Sequence, residues 1–167
     1  MRAGNLKIFG AATLSAVMLA GCGSLIKGEP DARWADYKSW TKLTENRTGT
    51  GDPTGFIGNV HKGRDGYRDV YVNETGKEML SGMGPYLFPA GTVIVKEQFG
   101  SKADWEAQKG AQVTVSIKIE DGAGPSTWHW AAGYTGKAGE SQFCSGCHTI
   151  AAADDYVFTH EKFLSTQ

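Results

Sequence analysis

At 167 residues, with 17 lysines and arginines against 18 acidic residues and a net charge of −1, the chain has length for one core but not for two independent ones. It carries no basic face or charge run that would hold a phosphate backbone, so nucleic acid is not an expected partner.

The N-terminus reads as an export signal. Met1, Arg2 and Lys7 flank an apolar run at 8–20, IFGAATLSAVMLA. A bilayer-spanning helix needs about 20 apolar residues, so this shorter run is the core of a signal peptide. It ends in LAGC, residues 19–22, which resembles the lipobox of bacterial lipoproteins. In that class the cysteine takes a diacylglycerol and becomes the new N-terminus, each buried methylene contributing about 0.8 kcal/mol to anchoring. Ordinary cleavage near Ala20, leaving a soluble periplasmic protein with an unmodified Cys22, is the alternative. The expected organisation is a signal peptide at 1–21, a lipidated tether at 22–31 and one domain at 32–167. The expected location is a bacterial membrane facing the periplasm. Gly23 after the cysteine favours the outer membrane.

Residues 24–31, SLIKGEPD, form a short polar tether. In ARWADYKSWTKL, residues 32–43, Trp34, Tyr37 and Trp40 fall at i, i+3 and i+6, which predicts one face of a helix. Residues 45–59 hold four glycines and a proline and read as a loop, placed to act as a lid. GYRDVYVN (66–73) alternates as a strand. A short helix follows in ETGKEMLSG (74–82). TVIVKEQF (92–99) is β-branched and strand-like, and a helical turn follows near ADWEAQ. QVTVSIKIE (112–120) sets Val113, Val115, Ile117 and Ile119 on one face of a strand. STWHWAAGY (126–134) is a further strand with Trp128 and Trp130 on the same side. The order β, short α, β, β, β, with helices at both ends, predicts an α+β domain: a small antiparallel sheet with short helices.

The chemistry is concentrated in FCSGCHTI, residues 143–150. Here stand two of the three cysteines and one of the four histidines. With Cys22 lipidated, Cys144 and Cys147 are the only thiols left in an oxidising compartment. Cys144, Cys147 and His148 form CxxCH, the attachment signature of c-type haem. Two cysteines three apart on a helical turn reach the two vinyl groups on one edge of a porphyrin, and the next residue aims its imidazole at the iron. A structural zinc wants four ligands, and His160, twelve residues on, has nothing paired with it. A redox dithiol normally follows the first strand of a βαβ unit, and no such unit precedes this pair. The expectation is haem c, covalent and one per chain, carried on a C-terminal CxxCH helix with His148 as proximal ligand. An electron-carrying cytochrome c begins with its CxxCH and is mostly helical, so this topology departs from it.

YRDVYVNETGKEM, FPAGTVIVKEQF, STWHWAAGY and CSGCHTIAAADDYVFT, in that order over residues 33–163, resemble the cytochrome P-460 family and its relative cytochrome c′-beta. The resemblance implies a β-sheet domain, a C-terminal CxxCH, a proximal histidine and an open distal face. In the first family a lysine is also cross-linked to a haem meso carbon, and members oxidise hydroxylamine. In the second the cross-link is absent and the haem binds nitric oxide or carbon monoxide. By position, Lys96 falls at the cross-linking lysine and Arg68 at a pocket arginine. The bland readings are a solvated strand-end lysine and a surface partner for Asp69 or Glu74. One departure stands out: hydroxylamine-oxidising relatives place a carboxylate in the distal pocket, and residues 113–119, around Thr114, contain no acid. Glu97 and Glu120 are the neighbouring substitutes. Met79, Met83, His61, His129 and His160 are the candidates for a sixth ligand, and a five-coordinate iron is expected.

The resemblance thus implies redox chemistry on hydroxylamine or nitric oxide at an open iron. The alternatives are non-catalytic binding of nitric oxide or carbon monoxide, and plain electron transfer. Expected partners are the small nitrogen ligand, a periplasmic electron acceptor such as another cytochrome c, the membrane through the lipid anchor, and a second copy in a homodimer.

Overall fold

The computed structural model describes residues 28–47, 67–80 and 86–158. Five strands, β1 (Thr41–Arg47), β2 (Tyr67–Val72), β3 (Val93–Phe99), β4 (Gln112–Lys118) and β5 (Trp128–Ala132), pair in chain order into one antiparallel sheet. Around it lie the short helices α1 (Glu74–Leu80), α2 (Lys102–Glu106) and α3 (Gln142–His148), with 3-10 turns at Tyr37–Ser39, Pro125–Thr127 and Thr149–Asp154. This is the small α+β domain expected from the sequence.

Both faces of the sheet are covered. Along β3 every residue except Lys96 is buried, which is why its VIV run reads as continuous rather than alternating. One face packs Tyr71, Val93, Val95, Val115, Ile117 and Ala131 against Trp34 and Tyr37. The opposite face packs Val70, Val72, Ile94, Trp128 and Trp130 against Tyr86, Phe88 and Val157. Each fully buried valine, isoleucine or phenylalanine among them contributes about 1.5–3 kcal/mol.

Charges on the first face are paired in place. The Glu97 carboxylate accepts from the Tyr37 hydroxyl at 2.7 Å, the Tyr71 hydroxyl at 3.2 Å and Lys38 Nζ at 2.6 Å. Asp69 accepts from Trp105 Nε1 at 2.9 Å and Lys42 Nζ at 3.3 Å. Burial and the Glu97 charge push the Tyr71 hydroxyl up to about 12.

The helix predicted at 32–43 is replaced by tight turns and a strand. Trp34 and Tyr37 do reach the core, but their amides donate to carbonyls three residues back, Trp34 to Asp31 and Tyr37 to Trp34. Trp40 is already extended, and β1 begins at Thr41. The chain finds backbone partners along β2, with Thr41 opposite Val72 and Thr44 opposite Val70, and these replace helical i→i−4 bonds. Residues 45–47, expected in the loop, complete β1. The rest of that loop, the signal peptide and Cys22 lie outside the described residues. Among the described residues no helix is long and apolar enough to cross a membrane.

Candidate cofactor site

Helix α3 carries the CxxCH. Its N-cap is Ser141, whose hydroxyl accepts from the Cys144 amide at 3.2 Å. That bond satisfies one of the amides a helix start leaves without partners. Cys144 is half-buried and Cys147 buried, and the two are not disulfide-bonded. His148 closes the helix. Its Nδ1 lies 2.6 Å from the Tyr156 carbonyl oxygen. A carbonyl only accepts, so Nδ1 carries the hydrogen, and in the neutral ring the lone pair is then on Nε2. This is the tautomer and anchoring found in metal-ligating histidines. The ring meets Trp130, tilted at a centroid distance of 6.1 Å, and Phe158, edge-on at 4.9 Å.

The carbonyl that orients His148 comes from an unusual piece of backbone. Asp155 and Tyr156, at φ 51° and 66°, are consecutive non-glycine residues in the left-handed region, which is sterically restricted for both. Asp155 is buried and densely bonded. Lys118 Nζ donates to both its oxygens, at 2.8 and 2.7 Å, Trp128 Nε1 donates at 3.2 Å and the Phe88 amide at 2.9 Å. Lys118 also donates to the Gly122 carbonyl and the Thr127 hydroxyl, and stands 5.1 Å from the Trp128 ring centre.

Sheet register gathers the other candidates. Val70, Lys96, Thr114 and Ala132 stand opposite one another across β2 to β5, and Arg68 stands opposite Gln98. Lys96 therefore sits mid-sheet on the Trp130 face, beside Thr114. It is not the solvated strand-end lysine of the bland reading. Burial, then the Arg68 guanidinium, push the Lys96 ammonium down to about 7. The Cys147 and Cys144 thiols act on it in the opposite sense, and burial lowers the Arg68 value while Cys147 again opposes. Lys96, Arg68 and the two cysteines thus form one electrostatic neighbourhood. Arg68 is buried, with Nη2 3.4 Å from Gln98 Oε1, so it does not pair with Asp69, which lies on the other face. Arg68 Nε and Trp130 Nε1 have no hydrogen-bond partner among the described residues.

The substitute acids do not reach this face. Glu97 points the opposite way into its tyrosine and lysine partners, and Glu120 is exposed beyond the end of β4. Among β2 to β5, the Lys96 face carries no carboxylate. His129 faces away from it, opposite Ile117. Met79 is packed against the core cluster that holds Trp130. Met83, His61 and His160 lie outside the described residues.

Lys118, Asp155 and the Tyr156 carbonyl are the parts that motif reading passes over. A lysine alternating with Thr114 and Ser116 gives no signal of burial until the sheet is known to be covered on both sides. The left-handed backbone at 155–156 has no marker in ADDY, since neither residue is glycine.

A cysteine pair and a histidine anchored through Nδ1, beside aromatic rings on a small antiparallel sheet, are the donor set a haem protein would use. The family model for cytochrome P460 matches residues 34–159, and the chain belongs to that family, which makes it a c-type haem protein. No curated protein matches the chain. The residues suit a haem. His148 is held through Nδ1, which leaves Nε2 as the nitrogen that would meet iron, and the buried orphan donors Arg68 Nε and Trp130 Nε1 call for acceptors that the described residues do not supply.

Proposed function

We propose that Cys144 and Cys147 hold a single haem c through two thioethers, that His148 is its one protein iron ligand, and that Lys96 is joined to the porphyrin edge. When bound, the haem supplies a redox-active iron that can coordinate a small nitrogen compound, and the favoured activity is redox chemistry on hydroxylamine or nitric oxide. The observation that carries this reading is Lys96, mid-sheet in the electrostatic neighbourhood of both cysteines. Depressed to about 7, a large share of it is neutral amine near pH 7, the form that acts as a nucleophile; the C–N bond would replace a porphyrin C–H, with a two-electron oxidant such as a peroxide taking up the electrons and two protons released. Thioether formation removes the two thiols whose ionised forms favour the ammonium, which shifts Lys96 further toward the amine. His148 contributes a neutral imidazole whose direction is fixed by Tyr156. Trp130 and Phe158 flank that ring, and Arg68 offers a buried cation to an anionic group.

A second reading has its own support. Oxidising hydroxylamine releases protons, and a general base must lie within hydrogen-bond reach of the substrate. The lack of a carboxylate on the Lys96 face of β2 to β5 favours a protein that binds nitric oxide or carbon monoxide without turnover. Hydroxylamine-driven reduction of a dye by the purified holoprotein separates the two. Turnover that falls at least tenfold in Lys96→Ala supports the enzyme. A rate no higher than that of Lys96→Ala leaves the binding protein, and a low-spin six-coordinate ferric spectrum would favour electron transfer instead.

The lipid anchor at Cys22, a location facing the periplasm, a cytochrome electron acceptor and a homodimer belong to the same proposal. The LAGC sequence motivates the anchor and the location, and the sequence resemblance to cytochrome relatives motivates the acceptor and the dimer. Metabolic labelling with a fatty acid in the wild type and in Cys22→Ser tests the first, since only the wild type should incorporate label.

A further inference from the structure

We propose that Lys118 and Asp155 are positioning residues for the iron ligand: their buried ion pair fixes the left-handed turn whose Tyr156 carbonyl aligns and polarises His148. The proposal rests on His148 being the proximal ligand. Asp155 is the point at which the chain after the haem-attachment helix is tied to the sheet. One carboxylate receives Lys118 from the end of β4, Trp128 from the start of β5 and the Phe88 amide from the segment before β3. The very next residue presents its carbonyl to Nδ1 of His148 at 2.6 Å. Two adjacent non-glycine residues with positive φ persist only where their surroundings hold them, and the Asp155 bonds are those surroundings.

A buried ion pair is weak evidence for stability, because well-packed apolar residues commonly serve as well. Its use here fits a demand for fixed geometry. Hydrogen bonding at Nδ1 raises the basicity of the other ring nitrogen toward a metal, and second-shell hydrogen bonds are among the means by which a protein sets a haem potential. Loosening the turn lengthens the Nδ1 bond, weakens donation to iron and favours the ferrous state.

Removing one partner would strand a buried charge and risk unfolding, so the test is the double variant Lys118→Met/Asp155→Asn in full-length holoprotein. Glu97→Gln, which neutralises a buried carboxylate on the far face, controls for destabilisation alone. We expect the double variant to shift the ferric-to-ferrous ratio at fixed potential about tenfold toward ferrous, a rise of about 59 mV for one electron. The iron–histidine stretch in the ferrous resonance Raman spectrum should fall in frequency, with Glu97→Gln matching the wild type in both. A double variant with lowered thermal stability but unchanged potential and stretch overturns the proposal. A wild-type chain lacking an iron–histidine stretch would overturn the ligand reading itself, and so separates the two failures.

Discussion

Three circumstances meet at Lys96: a central strand, a face covered by aromatic side chains, and a buried arginine nearby in place of a carboxylate. A lysine there is costly as an ammonium. Its ordinary value of 10.5 falls to about 7 in the folded chain, so between those values the unfolded chain binds more protons. Folding stability must then rise with pH across that window. At one pKa unit per 1.36 kcal/mol, discounted for residual exposure, the gain is about 2 kcal/mol. Denaturant unfolding of haem-free chain at pH 6.5 and pH 10 should show this rise in the wild type, relative to Lys96→Met. Equal pH slopes in the two proteins would mean that the lysine is solvated. Its candidacy was legible from the VIVKE phrase through the family resemblance. What packs over it was not, because alternation in β3 is erased where both faces are buried.

Helix and strand docking supplies the next scale. Helix α1 lies against the sheet through Gly76, where a Cβ would come within 2.5 Å of Thr92 Cγ2 and 2.8 Å of Val72 Cγ2. Gly76→Ala should therefore destabilise by about 1–3 kcal/mol through overpacking, despite alanine's better helix propensity. A thermal midpoint at or above the wild-type value would show that α1 can slide outward. At α3, Ser141→Ala removes the cap on the Cys144 amide and should cost about 1 kcal/mol, read as a lower denaturant midpoint at unchanged slope. The strands β2 to β5 were legible as alternating or continuous β-branched and aromatic runs between turn-forming segments. Strand β1, TKLTENR, was not. A short polar edge strand looks like a loop, and the preceding aromatics at i, i+3 and i+6 imitate a helix while a series of turns delivers Trp34 and Tyr37 to the same core.

Across the whole molecule the sheet divides its charges by face. Glu97 and Asp69 are bound to tyrosines, a tryptophan and lysines on one side, while on the other side the strands β2 to β5 offer Lys96 and Arg68 no carboxylate. The CxxCH named the cofactor from five residues of sequence. The division of charge that frames the site depends on strand register, which no local motif states. The orienting carbonyl of Tyr156 depends on contacts to Asp155 from positions as distant in sequence as Phe88. The account's central claim, that a c-type haem on Cys144, Cys147 and His148 is also joined to Lys96, is tested most directly by optical spectra of purified ferric and ferrous holoprotein beside Lys96→Ala. The prediction is a red-shifted Soret band in the wild type that reverts to an ordinary c-type spectrum in the variant. An ordinary c-type spectrum in both proteins would contradict it.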